Sequence, residues 1–180
     1  NVVDPNDLIK EYGADTTRLF SLFAAPPEKD LEWNSKGVEG CFRFLNRIHR
    51  FVQANKEVII AAEQSIPGVL NSGERNLHRK THQTIKRVTQ NIEHNFHFNT
   101  AISAVMELVN VLTASTSDNT KEPVNNSVIS EAVNTILILL CPMVPHFCAE
   151  LWATLHNGGS IDAEQWPKWD KEAAKEEELT

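Results

Sequence analysis

The chain has 180 residues, 41% of them hydrophobic, and a formal net charge of −7. That is apolar material enough for one sizeable core, and no apolar run approaches the ~20 residues of a membrane span. The acidic balance argues against a general nucleic-acid binder, which is usually basic, but residues 170–180 hold Asp170, Glu172, Glu176, Glu177 and Glu178 against only Lys171 and Lys175, so the remainder can still carry a local basic surface.

The chain opens without Met or a targeting segment and reads as an interior stretch of something longer. Asp4 followed by Pro5 is an N-cap with proline at the first helical position. Leu8, Ile9 and Tyr12 give that helix one apolar face, and Gly13 is placed to end it in the left-handed conformation. Asp15 is placed to cap a second helix carrying Leu19, Phe20, Leu22 and Phe23, which Pro26-Pro27 stops. The i, i+3 spacing of Asp15 and Arg18 predicts a structural pair.

A turn to Asn34 or Ser35 precedes a long helix to about Glu57, with Phe44, Leu45, Ile48, Phe51 and Val52 as its apolar stripe. Asn71 or Ser72 caps the next, running to about Asn95 with Leu77, Ile85, Val88 and Ile92 inward. Asn99 is expected to cap a third, carrying Ile102, Val105, Met106, Val109 and Leu112. After a polar loop over 115–126, a fourth spans about Ser127 to Cys141. Pro142 and Pro145 break it, and a shorter helix follows with Phe147, Leu151 and Leu155. Gly158-Gly159 ends the regular structure. Trp166-Pro167 and Trp169 are expected to fold back on the bundle, ahead of an acidic linker. No strand pattern or internal repeat persists, so the fold class is all-α, a helical bundle with a short N-terminal helical connector.

The basic residues fall in stripes. Arg43, Arg47 and Arg50 share one helical face, and Arg75, Arg79, His82 and Lys86 share another. On adjacent antiparallel helices they would form one positive groove suited to a phosphate backbone; periodicity alone slightly favours ordinary solvated faces. Phe96 and Phe98 interleave with His94 and His97; stacking on bases is one reading, and packing at a helix–helix corner is the stronger one. A di-iron bundle would need Glu-x-x-His pairs, and neither Glu93 nor Glu150 has the histidine, so no metal site is expected. His146 sits in apolar surroundings and reads as a structural histidine donating to a backbone carbonyl. Cys41, Cys141 and Cys148 lack paired spacing and lie in apolar helical patterns, which predicts buried free thiols in a reducing cytosol. The seven glycines never fall in a phosphate-loop spacing.

Several stretches taken in order resemble one family. Asn1-Val2-Val3-Asp4-Pro5 and Tyr12-Gly13-Ala14-Asp15 with Arg18-Leu19 resemble the segment after the lysine-rich KMSKS loop of class I aminoacyl-tRNA synthetases. Phe23-Ala24-Ala25-Pro26-Pro27-Glu28-Lys29-Asp30-Leu31-Glu32-Trp33, Gly37-Val38-Glu39-Gly40 and Arg43-Phe44-Leu45-Asn46-Arg47 are most similar to the bacterial leucyl branch. Phe98-Asn99-Thr100-Ala101-Ile102 and Pro142-Met143-Val144-Pro145-His146 with Glu150-Leu151-Trp152 agree.

The resemblance covers residues 1 to about 167. It implies a connector after the catalytic fold over 1–33, the anticodon-binding bundle over 34–160, and a fold-back segment and acidic linker over 161–180. It implies that the parent is a cytoplasmic leucine–tRNA ligase using ATP and Mg, while this stretch, lacking the HIGH and KMSKS signatures, holds no catalytic residue, cofactor or metal. By the same resemblance it is a monomer whose partners are leucine tRNA and the catalytic and C-terminal domains of its own chain, with no membrane contact. The implied tRNA-binding residues are Arg43, Arg47, Arg50, Arg75, Arg79 and Lys86. Asp4, Asp15 and Arg18 would support the lysine loop. The alternatives are a valyl, isoleucyl or methionyl enzyme, or a non-enzymatic helical protein-interaction module.

Overall fold

The structure is a computed structural model that describes residues 4–24, 34–63, 65–117 and 122–175. The Asn1-Val2-Val3 opening, the stop at Pro26-Pro27, the Glu28–Trp33 run and the last five residues of the acidic linker lie outside the described residues. Those described form seven α-helices: α1 (Pro5–Tyr12), α2 (Ala14–Ala24), α3 (Ser35–Ile60), α4 (Ser72–Asn95), α5 (Phe98–Ser115), α6 (Asn126–Leu140) and α7 (Pro145–Leu155), with a 3₁₀ turn at Ile161–Ala163. They contain no strand.

The cap chemistry explains most boundaries. Asp4 Oδ1 accepts from Asn6 N at 2.8 Å, with Pro5 opening α1. Asn34 accepts from the first amides of α3. Asn71 and Glu74 form a reciprocal capping box on α4, and the other Glu74 oxygen accepts from Asn125 N at 2.9 Å, tying the start of α4 to the start of α6. Two expectations fail. Gly13 has a positive φ of 85°, yet its ψ of 159° is extended rather than left-handed, so the chain turns sharply into α2. Asn99 does not cap α5. Phe96 closes α4 in the left-handed conformation, the chain reverses at once, and α5 begins at Phe98 with His97 as an N-cap that makes no side-chain bond.

One apolar cluster joins all the larger helices. α6 is buried on most of its circumference, from Val128 to Leu140, and the inward faces of α3, α4, α5 and α7 close around it. Each such Leu or Ile contributes about 1.5–3 kcal/mol by leaving water. Leu19 and Phe20 of α2 belong to the same cluster. α2 reaches it because Gly37 carries no side chain: a Cβ there would stand 2.8 Å from the Phe20 ring. Cys41 and Cys148 are buried free thiols; Cys141 is half-buried at the end of α6. Burial pushes the Cys41 thiol up to about 11.

The α6–α7 corner corrects three readings at once. Asp15 does not pair with Arg18, and its carboxylate goes to another helix. Its Oδ2 accepts from Phe147 N at 2.6 Å and its Oδ1 from His146 Nδ1 at 3.0 Å, so it caps α7 across space. Arg18 donates from Nε to Met143 O at 3.1 Å and from Nη2 to Pro142 O at 3.2 Å. The anion sits at a helix start and the cation just past a helix end, the favourable arrangement for both dipoles. His146 therefore serves a carboxylate rather than a backbone carbonyl.

Candidate nucleic-acid interface

α3 presents Arg43, Arg47 and Arg50 toward α5. Two adjoining grooves of about 570 Å³ each run along this seam, and Arg47 and Arg50 line both. The first adds Lys36 and Arg43 over a floor of Phe23, Gly37, Gly40, Phe44 and Met106. The second adds Asn55, Thr113, Thr116 and Ser117. Among the described residues, neither lining contains a carboxylate. Arg43 meets Glu39 at 3.4 Å, an exposed pair that contributes little. Arg50 Nε donates to Asn46 O at 3.3 Å. The Arg47 guanidinium lies 5.8 Å from the centre of the Phe44 ring, and its Nε is buried without a hydrogen-bond partner. A buried donor left open is costly, and here it belongs to a cation at the junction of two grooves.

The α4 stripe has a different fate. α4 packs on α5 and α6, while α3 packs on α2, α5, α6 and α7, so the two stripes do not build one groove. Arg75 Nη1 donates to Leu70 O at 2.6 Å and Arg79 Nη2 to Asn76 Oδ1 at 3.2 Å. Lys86 is exposed. His82 leaves the stripe altogether: it is buried, with Nε2 3.3 Å from Glu131 Oε1 of α6. His78 Nδ1 stands 2.6 Å from Glu131 Oε2. Burial alone would push the Glu131 carboxyl up; hydrogen bonds from His78 and His82 outweigh it and hold the group below its ordinary 4.5. The bond to Glu131 raises His78 above 6.5, against an opposing effect of burial. On the α5 side, Lys80 and Arg87 both bind Glu107, and the Lys80 bond leads in lowering that carboxyl.

A C-terminal strap crosses the same face of α4. Trp166 Nε1 donates to Thr89 Oγ1 at 2.8 Å, Asp170 N to His82 Nδ1 at 3.0 Å, and Gln83 Nε2 to Ala174 O at 3.1 Å. Trp166 and Trp169 pack on the core, as the fold-back reading expects. The stretch Asp170–Ala174 is docked rather than free.

His78, His82 and Glu131 bring their donor atoms within 4.8 Å of one another. Sequence reasoning missed this cluster because it searched for Glu-x-x-His on one helix, and Glu131 comes from a facing one. The bonding decides the chemistry. His82 Nδ1 accepts from a backbone N–H, so the proton of the neutral ring is on Nε2, which donates to Glu131. With both nitrogens engaged in this way, His82 has no lone pair to offer a metal. The trio is a clamp between α4, α6 and the strap.

Of the aromatic pair, Phe98 packs on the core while Phe96 is 61% exposed. No described helix is long and apolar enough to cross a membrane.

Comparison with known proteins places these elements. The family model for the anticodon-binding domain of tRNA ligase matches residues 74–180, from α4 through the strap. A leucine–tRNA ligase of Desulfotalea psychrophila is 62% identical over all 180 residues, and one of Geotalea uraniireducens 51% over 179; in each case the matched stretch is 22% of that protein. The chain thus spans about a fifth of the length of these relatives, and α3 lies inside the matched stretch. Among solved structures, the ternary complex of Agrobacterium radiobacter K84 agnB2 LeuRS with tRNA and LeuAMS is similar at TM-score 0.84 and 28% identity, over 97% of this chain and 22% of that one.

Proposed function

The chain belongs to the family of anticodon-binding domains of tRNA ligases, and from that membership we propose that it is the tRNA-gripping part of a leucine–tRNA ligase. The observation that carries the reading is the α3–α5 seam: Lys36, Arg43, Arg47 and Arg50 line open grooves with no carboxylate among the described residues of their walls. Guanidinium groups at helical spacing bind successive phosphates without reading sequence. The two leucine-specific relatives and the synthetase–tRNA complex support leucine tRNA as the partner.

In this reading the domain holds the tRNA so that its acceptor end reaches a catalytic domain elsewhere in the parent, a contribution through positioning. The parent would be a cytoplasmic monomer that uses ATP and Mg to attach leucine, and this stretch alone would be inactive. Residues 1–33 would connect to the catalytic domain, with Asp4, Asp15 and Arg18 steadying the lysine loop through α1 and α2. Residues 34–160 would be the bundle, and 161–180 the fold-back segment and linker. The corner held by Asp15 and Arg18 supports that connector role, because it fixes α2 rigidly to α6 and α7.

The test is a titration of labelled leucine tRNA into the chain at several salt concentrations, with valine tRNA as competitor. Four phosphate contacts predict a log–log salt slope of about −3 to −4. Leucine tRNA should bind, with valine tRNA competing to the extent that its backbone offers the same phosphates. Equal competition would mean that this domain grips the backbone and leaves the choice of tRNA to the rest of the parent. No binding at low salt by folded protein would overturn the reading and leave a protein-interaction module.

A further inference from the structure

Most of the α3–α5 seam needs only phosphates to explain it, but its first groove has a floor that phosphates do not need. Gly37, Gly40 and Phe44 follow one another along one face of α3. The space above Gly37 is filled by Phe20. Above Gly40 the described residues leave open space: a Cβ built there meets none of their atoms within 4 Å. A glycine inside a helix costs stability relative to alanine, and no packing contact among the described residues accounts for this one. Its effect is to keep a slot open between Phe23 of α2, Phe44 of α3 and Met106 of α5, under a rim of Lys36, Arg43, Arg47 and Arg50.

We propose that this slot takes an unpaired nucleobase, flipped out of its stack, while the rim cations hold the phosphates on either side of it. The inference rests on the phosphate-gripping reading and names what the apolar part of that site is for. A flat π-face can lie on the bare backbone at Gly40 and against the half-buried Phe23 ring, above the buried Phe44. The guanidinium of Arg47, already 5.8 Å from the Phe44 ring centre, offers a further stacking plane. The floor carries no side-chain donor or acceptor to read a base edge, so the slot accepts any base and selects for extrusion rather than sequence. A fully paired stem can use the cations but not the slot.

Two labelled RNA hairpins test this, one with a continuous stem and one with a single bulged 2-aminopurine in the same stem. The chain should bind the bulged hairpin about fivefold more tightly, the low end of what one stacked base contributes, with a change in 2-aminopurine emission on binding. Gly40→Leu fills the slot with a good helix former and should erase that preference while leaving the melting temperature intact or higher. Phe23→Ala removes a wall from the opposite helix and should reduce the preference too, so a folding defect in one variant does not decide the matter. Gly40→Ala, with only a methyl added, should keep it. No preference in the wild type, or a preference that survives Gly40→Leu, overturns the slot. An Arg43/Arg47/Arg50→Ala chain that binds both hairpins as the wild type does, or a wild type that binds neither, overturns the phosphate grip beneath it.

Discussion

On α3, Arg43, Arg47 and Arg50 line grooves whose described residues include no carboxylate, whereas on α4 the stripe of the same periodicity is crossed by a strap, and its His82 is buried against Glu131. The two helices have nearly the same length and similar spacing of basic groups. Their neighbours differ. α4 faces two acidic side chains, Glu131 on α6 and Glu107 on α5, which take His78, His82, Lys80 and Arg87, while Lys86 stays exposed. α3 faces Met106 and Thr113 of α5 and Thr116 just past its end, none of which can neutralise a cation. A basic stripe is therefore a binding surface or a structural element according to what the next helix presents.

The comparison breaks most sharply if binding and stability fail to separate. Arg43/Arg47/Arg50→Ala should weaken binding of leucine tRNA by about 150-fold at low salt, taking the upper end of what an exposed ion pair contributes three times over. The same substitutions should barely move the unfolding midpoint. Arg75/Arg79/Lys86→Ala should change the same Kd by less than about threefold, since a few tenths of a kcal/mol is the usual cost of removing a surface charge. Equal losses in both triples, measured by anisotropy titration, would return the two stripes to one footing.

Stability should show the reverse order. Glu131→Ala strands two imidazoles between α4 and α6 and should cost about 2 kcal/mol in chemical denaturation, with tRNA affinity unchanged. Its pH dependence follows from the shifts. His78 is raised above its ordinary 6.5, so its contribution is complete below that value and is lost as pH rises through the raised native value. Glu131 is held below 4.5, so its contribution is complete above that value and is lost as pH falls through the lowered one. The clamp is thus strongest between about pH 4.5 and 6.5. The stability gap between wild type and Glu131→Gln should be widest there and narrow toward pH 8.5. A gap that widens on the alkaline side would mean that His78 is not the charged partner.

Much of this was legible beforehand because it rests on local rules. Asp4 before Pro5, the Asn71–Glu74 box and the apolar periodicity of the long helices are short-range signals, and they located seven helices to within a few residues. The partners of Asp15, Arg18, His82 and His146 were not legible. Each lies between 49 and 132 residues away in sequence, and nothing in the spacing of Asp15 and Arg18 reveals that a corner formed by Pro142 and Pro145 will sit between them. The arginine stripes were visible as stripes; which one stays open depended on Glu131 and Thr113, whose facing positions only the packing sets.

The smallest effect concerns the strap, and it is the most exposed point of the comparison. Trp166 donates to Thr89 at 2.8 Å across the α4 face. Trp166→Phe keeps most of the ring against the core and deletes only the N–H, so the loss should be about 1 kcal/mol. Thr89→Val removes the acceptor with little change of shape but leaves the indole N–H to find water, so it should cost slightly more. In a double-mutant cycle the two should couple by about 0.5–1 kcal/mol, because once one partner is gone the other has nothing left to lose. Amides from Trp166 to Ala174 should then exchange faster while those of α6 do not, since strap opening is local. Neither variant should alter tRNA affinity. If Trp166→Phe weakens tRNA binding more than it weakens the fold, the strap belongs to the RNA surface, and α4 joins α3 as a binding face after all.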